Sequence, residues 1–209
     1  MTNRPTYHIL RSYFLLVSSL AIIATAATSC AEDYLPKPKS YPRIIFPSHS
    51  YTPFNIADCP FTFEYPVYGK IKKDSTRLLK EDESPCWLNI GFPDFNAELY
   101  LSYREIDSKQ TSLPKLINDA YTMNHKHVIK ADFIEDSLFV TPNKVSGVFY
   151  SVGGDAASSM QFFVTDSIRH FLWASFYVKA TPNQDSIAPV TQFFNKDLQH
   201  IINSFDWKQ

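Results

Sequence analysis

The stretch SMQFFVTDSIRHFLWASFYV, residues 159–178, decides the fold class. Residues 159–165 alternate apolar and polar side chains, which predicts a strand with one buried face. Asp166 and Ser167 predict a tight turn after it. Residues 168–178 are apolar at odd and even positions alike, which is typical of a strand buried on both faces. We therefore expect an antiparallel hairpin whose second strand lies near the centre of a sheet.

Five further segments outside this hairpin predict strands, because their apolar residues alternate or form short runs. These segments are residues 61–67, 87–92, 98–106, 133–140 and 145–152. Gly153 and Gly154 predict a turn after the last of them. In residues 61–67 the alternation places four side chains on one face, those of Phe61, Phe63, Tyr65 and Val67.

Two helices are predicted, one in the middle of the chain and one near its end. Ser112 can cap the first and Pro114 lies in its first turn. Its apolar stripe comprises Leu113, Leu116, Ile117, Ala120 and Met123. A loop and the start of the second helix are predicted by Pro182, Asn183, Asp185 and Pro189. Apolar residues then recur at helical spacing. That second stripe comprises Val190, Phe193, Phe194, Leu198, Ile201, Ile202 and Phe205, and Trp207 can close the core after it.

The short connections between the late strands predict an antiparallel meander with helices packed on it. The expected class is therefore α+β, as a single domain whose sheet is packed by a central and a C-terminal helix. This order of elements resembles the fold shared by PsbP and Mog1. Such a resemblance concerns the fold and implies no activity.

The N-terminal segment has the layout of a secretory signal, with a basic start, an apolar run over residues 13–24 and small residues up to Ser29. The string ATSC, residues 27–30, resembles a bacterial lipobox, in which the cysteine receives a diacylglycerol. We expect residues 1–29 to be the signal peptide and Cys30 to be lipidated. A plain signal peptide with an incidental cysteine is the alternative.

A proline-rich segment follows, and we expect residues 30–53 to be a lipidated spacer and residues 54–209 the globular domain. The prolines of this spacer are Pro36, Pro38, Pro42, Pro47 and Pro53. In an oxidising envelope, Cys59 and Cys86 are candidates for a disulfide. Two buried thiols are the alternative.

The composition excludes several classes of function. With 17 Phe and 12 Tyr among 209 residues, the chain can bury a large core. The net charge of −1 becomes −3 once residues 1–29, with two arginines and no acid, are removed. The sequence therefore lacks the cluster of basic residues that a nucleic-acid-binding surface needs. We expect no cofactor and no metal, because the cysteines lack CxxC spacing and His125 and His127 point apart on a helix.

Two other sets of residues are candidates for chemistry or binding. Residues 153–170 contain Ser158, Ser159 and His170, which a serine hydrolase would need, but no G-x-S-x-G turn presents either serine. An envelope hydrolase and a lipoprotein that binds a small ligand in the cup of its sheet are the alternative functions. A possible binding face comprises Asn89, Asn96, Tyr100, Tyr103 and Trp173.

Long strings of the sequence resemble the gliding motility lipoprotein GldD family of Bacteroidetes. They are YLPKPKSYPRI (34–44), CPFTFEYPVYGKI (59–71), CWLNIGFPDFNAELYLSYREI (86–106), VGGDAASSMQFFVTDS (152–167) and the terminal SFDW. Ser40 and Ala27 depart from the pattern, at an expected glycine of the spacer and an expected aliphatic residue of the lipobox.

This resemblance implies a membrane-anchored envelope lipoprotein, with Cys30 as the acylated residue and its domain in the periplasm. It also implies a non-enzymatic accessory or scaffold role in gliding motility and the linked type IX secretion machinery. The expected partners are the lipid membrane and other gliding or secretion proteins of the envelope, and not nucleic acid.

Overall fold

The computed structural model describes residues 11, 13–19, 43–73, 86–107, 111–125, 131–155, 158–181 and 183–208. The chain forms two compact units, Met1–Pro42 and Arg43–Gln209. In the first unit residues 13–19 are helical. Cys30 and most of the predicted signal peptide lie outside the described residues. None of the helices in the described residues has the length and apolar character needed to cross a bilayer.

Ten strands and two α-helices are described in the second unit. The strands are β1 (Tyr51–Phe54), β2 (Phe61–Pro66), β3 (Lys70–Lys73), β4 (Leu88–Phe92), β5 (Ala97–Glu105), β6 (Ala131–Val140), β7 (Ser146–Gly154), β8 (Met160–Thr165), β9 (His170–Val178) and β10 (Asp206–Trp207). The helices are α1 (Leu113–His125) and α2 (Gln184–Ser204), with a short 3₁₀ turn at Pro93–Phe95.

The large sheet has seven antiparallel strands in the order β3-β4-β5-β9-β8-β7-β6. Strand β9 is its central strand, as its apolar sequence predicts. Leu172 and Phe176 of β9 point into the main core, while Phe171 belongs to a second apolar cluster with Leu116 of α1. We call these two sides of the sheet the core face and the α1 face.

Helix α2 and a small sheet, β1-β2-β10, cover the core face. Phe194 of α2 is fully buried and its ring lies 4.5 Å from that of Phe92 and 4.9 Å from that of Phe176. Phe61 of β2 packs edge-on against Trp207, which therefore helps to close the core as predicted. The expected α+β class, with a central and a C-terminal helix on an antiparallel sheet, is confirmed.

Helix α2 begins at Gln184, within the segment predicted to hold a loop and a helix start. Asn183 caps it by accepting a hydrogen bond from the Ser186 N–H, so Pro189 lies inside the helix and not in the preceding loop. A proline inside a helix removes one backbone donor. Here the long buried stripe that follows keeps the segment helical, because packing supplies most of a helix's stability in a protein.

Residues 43–53, which the sequence placed in the spacer, belong to the compact unit. Tyr51–Phe54 forms strand β1, paired with β2. The ring of Phe46 stacks on Phe193 of α2 at 4.5 Å. The domain therefore begins before the predicted boundary at residue 54, because aromatic side chains between the prolines anchor this segment.

Three local predictions differ from the structure. Gly153 and Gly154 end β7 and do not form a turn, and a Cβ on Gly153 would lie 2.1 Å from the ring of Phe133. On α1, Ile117 and Met123 are 38% and 48% exposed, because the buried stripe of this helix is narrow and comprises Leu116, Ala120 and Asn124. Val67 lies just beyond β2 and is exposed.

Candidate functional site

The two candidate disulfide cysteines lie together. Cys59 and Cys86 are joined in the structure, with Cα atoms 5.5 Å apart, and both are buried. Cys59 precedes β2 and Cys86 precedes β4. The link therefore connects the small sheet to the large one.

The serines and the histidine of the hydrolase alternative are far apart. Ser158 is buried and donates a hydrogen bond to the Phe176 carbonyl at 2.9 Å. His170 begins β9, six positions before Phe176, and a strand rises about 3.3 Å per residue, which separates the two sites by roughly 20 Å. Ser159 lies 3.4 Å from the Thr191 hydroxyl, at the same end as Ser158. His170 instead contacts the Tyr103 hydroxyl at 2.7 Å, so the structure does not assemble a serine–histidine pair.

A buried carboxylate on α2 gathers three polar side chains. Asp197 is fully buried and its Oδ1 lies 2.7 Å from His49 Nδ1. The Tyr51 hydroxyl donates to the same oxygen at 3.0 Å, and the Tyr68 hydroxyl donates to Oδ2. Burial, followed by the hydrogen bond to Asp197, raises the pKa of Tyr51 to about 12 and also raises that of Tyr68. Both phenols therefore stay protonated donors at neutral pH. We call these four residues the carboxylate latch.

The latch fastens the N-terminal segment of the domain to its C-terminal helix. His49 also stacks on Phe193 at 4.5 Å, next to the Phe46 stack. Helical periodicity alone does not identify Asp197 as a site residue. Its position was informative, because it lies three residues after Phe194 and four after Phe193 in an apolar stripe. An acid at such a position needs buried donors.

A cleft of about 460 Å³ lies between α1 and the α1 face of the sheet. Trp87, Trp173 and Arg104 line it from the sheet, while Lys115 and Asp119 line it from α1. The Arg104 guanidinium lies 5.0 Å from the centre of the Trp87 ring. Indole surfaces beside both charge signs can hold a flat or saccharide ring that carries a polar group.

The predicted binding face is only partly assembled. Asn89 and Tyr100 are direct partners across β4 and β5, and Trp173 follows on the same α1 face. Tyr103 points to the core face instead. Asn96 follows the 3₁₀ turn with a φ of 47°, and its amide donates to the Lys179 carbonyl, so its role is local.

In the part of the chain that the structure describes, no three His, Cys, Asp or Glu side chains are grouped so that they could bind a metal ion. His125 Nδ1 lies 2.9 Å from the Tyr121 carbonyl and can satisfy the end of α1. His127 lies outside the described residues.

A family model described as gliding motility lipoprotein GldD matches residues 31–207. The chain belongs to the GldD family of gliding motility lipoproteins. The resemblance seen in the sequence is thereby confirmed. The matched range includes the residues of the carboxylate latch, the residues of the cleft and both cysteines of the disulfide. Membership of a lipoprotein family associates the chain with the cell envelope and with motility components. A comparison with curated proteins gave no match.

Two solved structures similar to this GldD family member are of PsbP and Mog1, the proteins whose shared fold the order of elements resembles. Cyanobacterial PsbP (CyanoP) from Synechocystis sp. PCC 6803 aligns with a TM-score of 0.45 and 13% identity, covering 82% of this chain and 99% of that one. The Ran-binding protein Mog1p of Saccharomyces cerevisiae aligns with a TM-score of 0.43 and 13% identity, covering 77% and 96%. At this identity the likeness concerns the fold alone.

The GldD family member also exposes apolar side chains beside the cleft. Leu138 and Val140 of β6 are 87% and 73% exposed, and Ile117 of α1 is partly exposed near them. A groove of about 350 Å³ runs between these residues on the α1 face. Exposed apolar side chains grouped around a groove are common at sites where proteins contact each other. We call Ile117, Leu138 and Val140 the apolar strip.

Proposed function

We propose that this GldD family member is a lipid-anchored, non-enzymatic accessory or scaffold protein of gliding motility and the linked type IX secretion machinery. The family match over residues 31–207 carries this proposal, since it includes the spacer and the whole domain. The apolar strip supports a role in binding other proteins. The partners we propose are gliding and secretion proteins of the envelope, with the domain in the periplasm.

Cys30 is the proposed anchor, although it lies outside the described residues. A diacylglyceryl group supplies two acyl chains, and each buried CH₂ contributes about 0.8 kcal/mol, so the anchor holds the protein stably to a membrane. We also propose that Cys59 and Cys86 are oxidised in the mature protein, as the compartment favours. Their geometry in the fold supports this pairing.

The proposal is tested in a gliding host that expresses this protein. Deletion of the gene is expected to abolish surface gliding and to reduce export through the type IX system. Crosslinking in intact cells, followed by mass spectrometry, is expected to recover gliding or secretion proteins with the wild-type chain and not with Cys30→Ser. Normal gliding and normal export in the deletion strain would contradict the proposal.

A ligand-binding lipoprotein is the second candidate, and the cleft beside Trp87 and Trp173 is the observation that favours it. Native mass spectrometry of protein purified from the envelope would show a retained molecule, which Trp173→Ala should release. Identical masses before and after denaturation would contradict it. The envelope hydrolase has no comparable support, because Ser158 and His170 lie at opposite ends of β9. A serine-directed fluorophosphonate is expected to leave the protein unlabelled.

A further inference from the structure

Strand β6 forms an open edge of the large sheet. It spans ten residues, Ala131–Val140, and it pairs with β7 but with no other described strand. Most of its side chains are exposed, including those of residues 135–138, and no strand among the described residues pairs with this edge. The opposite edge, β3, has four residues and the sequence KIKK, and edge lysines discourage pairing with another chain. Strand β6 has neither lysine nor proline.

The unpaired backbone groups of β6 can be assigned from its pairing with β7. The Thr141 N–H donates to the Val145 carbonyl at 2.8 Å, so Thr141 faces β7. Because donors alternate along an antiparallel strand, the backbone groups of Asp136, Leu138 and Val140 point away from β7. Their side chains lie on the α1 face, since Leu138 pairs with Val148 of the second apolar cluster. The open edge and the apolar strip are therefore the same surface.

The charges of β6 argue against pairing with a second copy of this chain. Residues directly opposite each other in an antiparallel pair have the same orientation, so Glu135 cannot lie opposite Asp136 in a pair of two β6 strands. The two registers nearest to full overlap would place Glu135 opposite itself or Asp136 opposite itself. Like charges directly opposite each other destabilise a strand pair. The same acids, together with exposed Asp132, favour a partner that brings basic residues.

We propose that β6 accepts an extended segment of an envelope partner protein as an eighth strand of the large sheet. The segment alternates, with apolar side chains beside Leu138 and Val140 on the α1 face and basic side chains beside Glu135 on the opposite face. Main-chain hydrogen bonds provide the affinity in this mode, and the alternating side chains provide the selection. The inference rests on the proposed scaffold function and adds the chemistry of the partner.

Peptide binding to the full-length lipidated protein in detergent tests this directly. The probes are a ten-residue peptide of alternating valine and lysine and a matched peptide of alternating valine and glutamate. We expect the lysine peptide to bind about tenfold more tightly or better, and its affinity to fall with salt. Leu138→Pro removes an outward-facing N–H and should weaken binding by about tenfold or more. Leu138→Thr keeps that N–H and favours a strand, so its binding should stay within about threefold of wild type.

Three results would overturn the inference. They are equal binding of the two peptides, binding by Leu138→Pro equal to that by Leu138→Thr, and a dimer of this chain that Leu138→Pro dissociates. Circular dichroism and thermal unfolding of both variants establish that each is folded before binding is compared. A Leu138→Pro protein that no longer folds is replaced by Glu135→Gln/Asp136→Asn, which should lose the preference for lysine.

Cell experiments separate this inference from the proposed function. If deletion of the gene stops gliding and Leu138→Pro at a normal protein level does not, the edge proposal is wrong and the scaffold proposal stands. If deletion leaves gliding and export intact, the scaffold proposal is wrong whatever the peptides do. Loss of gliding with Leu138→Pro but not with Leu138→Thr is the result we expect.

Discussion

Replacing Asp197 with alanine tests whether the carboxylate latch holds the start of the domain to α2. The substitution removes the acceptor of His49, Tyr51 and Tyr68 together. The two phenols are left without their buried partner, and His49 keeps only its stack on Phe193. Residues 43–51 should then separate more easily from α2.

The expected cost follows from the burial of the carboxylate. A hydrogen bond to a charged group contributes about 1.5–3 kcal/mol, but bonds that share one acceptor do not add independently. The substitution leaves three part-buried donors without their acceptor, and an unsatisfied buried donor costs about 1–3 kcal/mol. We expect Asp197→Ala to lower the free energy of unfolding by about 4 kcal/mol, towards the lower end of the sum of these three penalties. For a domain of this size that lowers Tm by roughly 8–16 °C.

Urea and thermal unfolding of the full-length protein in detergent measure the loss, and hydrogen exchange over residues 43–51 reports where it occurs. Glu64→Gln is the matched control, because it also removes a carboxylate that contacts a histidine, His200, but at an exposed position. Surface pairs contribute about 0–1 kcal/mol, so the control should hardly change Tm. A loss below about 1 kcal/mol for Asp197→Ala, or unchanged exchange in residues 43–51, would refute the reasoning.

Three further predictions concern pH, the disulfide and the core. Burial, with the hydrogen bond from Tyr51 to Asp197, raises the pKa of Tyr51 to about 12, above its unfolded value of about 10. The folded state therefore binds this proton more tightly than the unfolded state does. The stability that results is fully present below about pH 10 and is lost as the pH rises through about 12. The urea concentration at the unfolding midpoint should fall over that range, and it should fall less steeply for Tyr51→Phe. Reduction, or the Cys59→Ser/Cys86→Ser double variant, should lower the free energy of unfolding by about 3–4 kcal/mol, and a thiol assay that finds two free cysteines in the unreduced protein would contradict the pairing. Phe194→Ala should cost about 3–5 kcal/mol because the ring is fully buried, whereas Ile168→Ala, at a residue 75% exposed, should cost less than about 0.5 kcal/mol in the same unfolding assay; similar losses for both would contradict the assigned core.

The sequence predicts the large sheet well because alternation is a local property. Strands β5, β8 and β9 have nine, six and nine residues, long enough for the pattern to be clear. Strands β1 and β10 have four and two residues, and pairing with β2 defines them more than their own sequence does. Pro53 lies within β1, where proline suggested a spacer. Local sequence patterns therefore do not reveal that the domain begins before its predicted boundary.

The latch and the apolar strip show why sites are harder to predict than elements. Asp197 depends on donors about 130 to 150 residues earlier in the chain, at His49 and Tyr68, and no spacing rule relates them. Ile117 fits the apolar stripe of α1 but stays partly exposed, because the narrow contact with β9 leaves one side of the helix open. The helical period predicts which residues form an apolar stripe, but the packing of the helix determines how much of that stripe is buried.

The latch also has a mechanical consequence. Tension applied to the chain before residue 43 would reach the domain first at Phe46 and His49, and then at Tyr51, the first residue of β1. Side-chain contacts to α2 would thus bear load before any backbone ladder does. Because α2 spans 21 residues and is buried along one side, the load would spread into the main core instead of peeling β1 from β2. A domain fastened in this way can transmit a pull from a membrane without unravelling from its attached end.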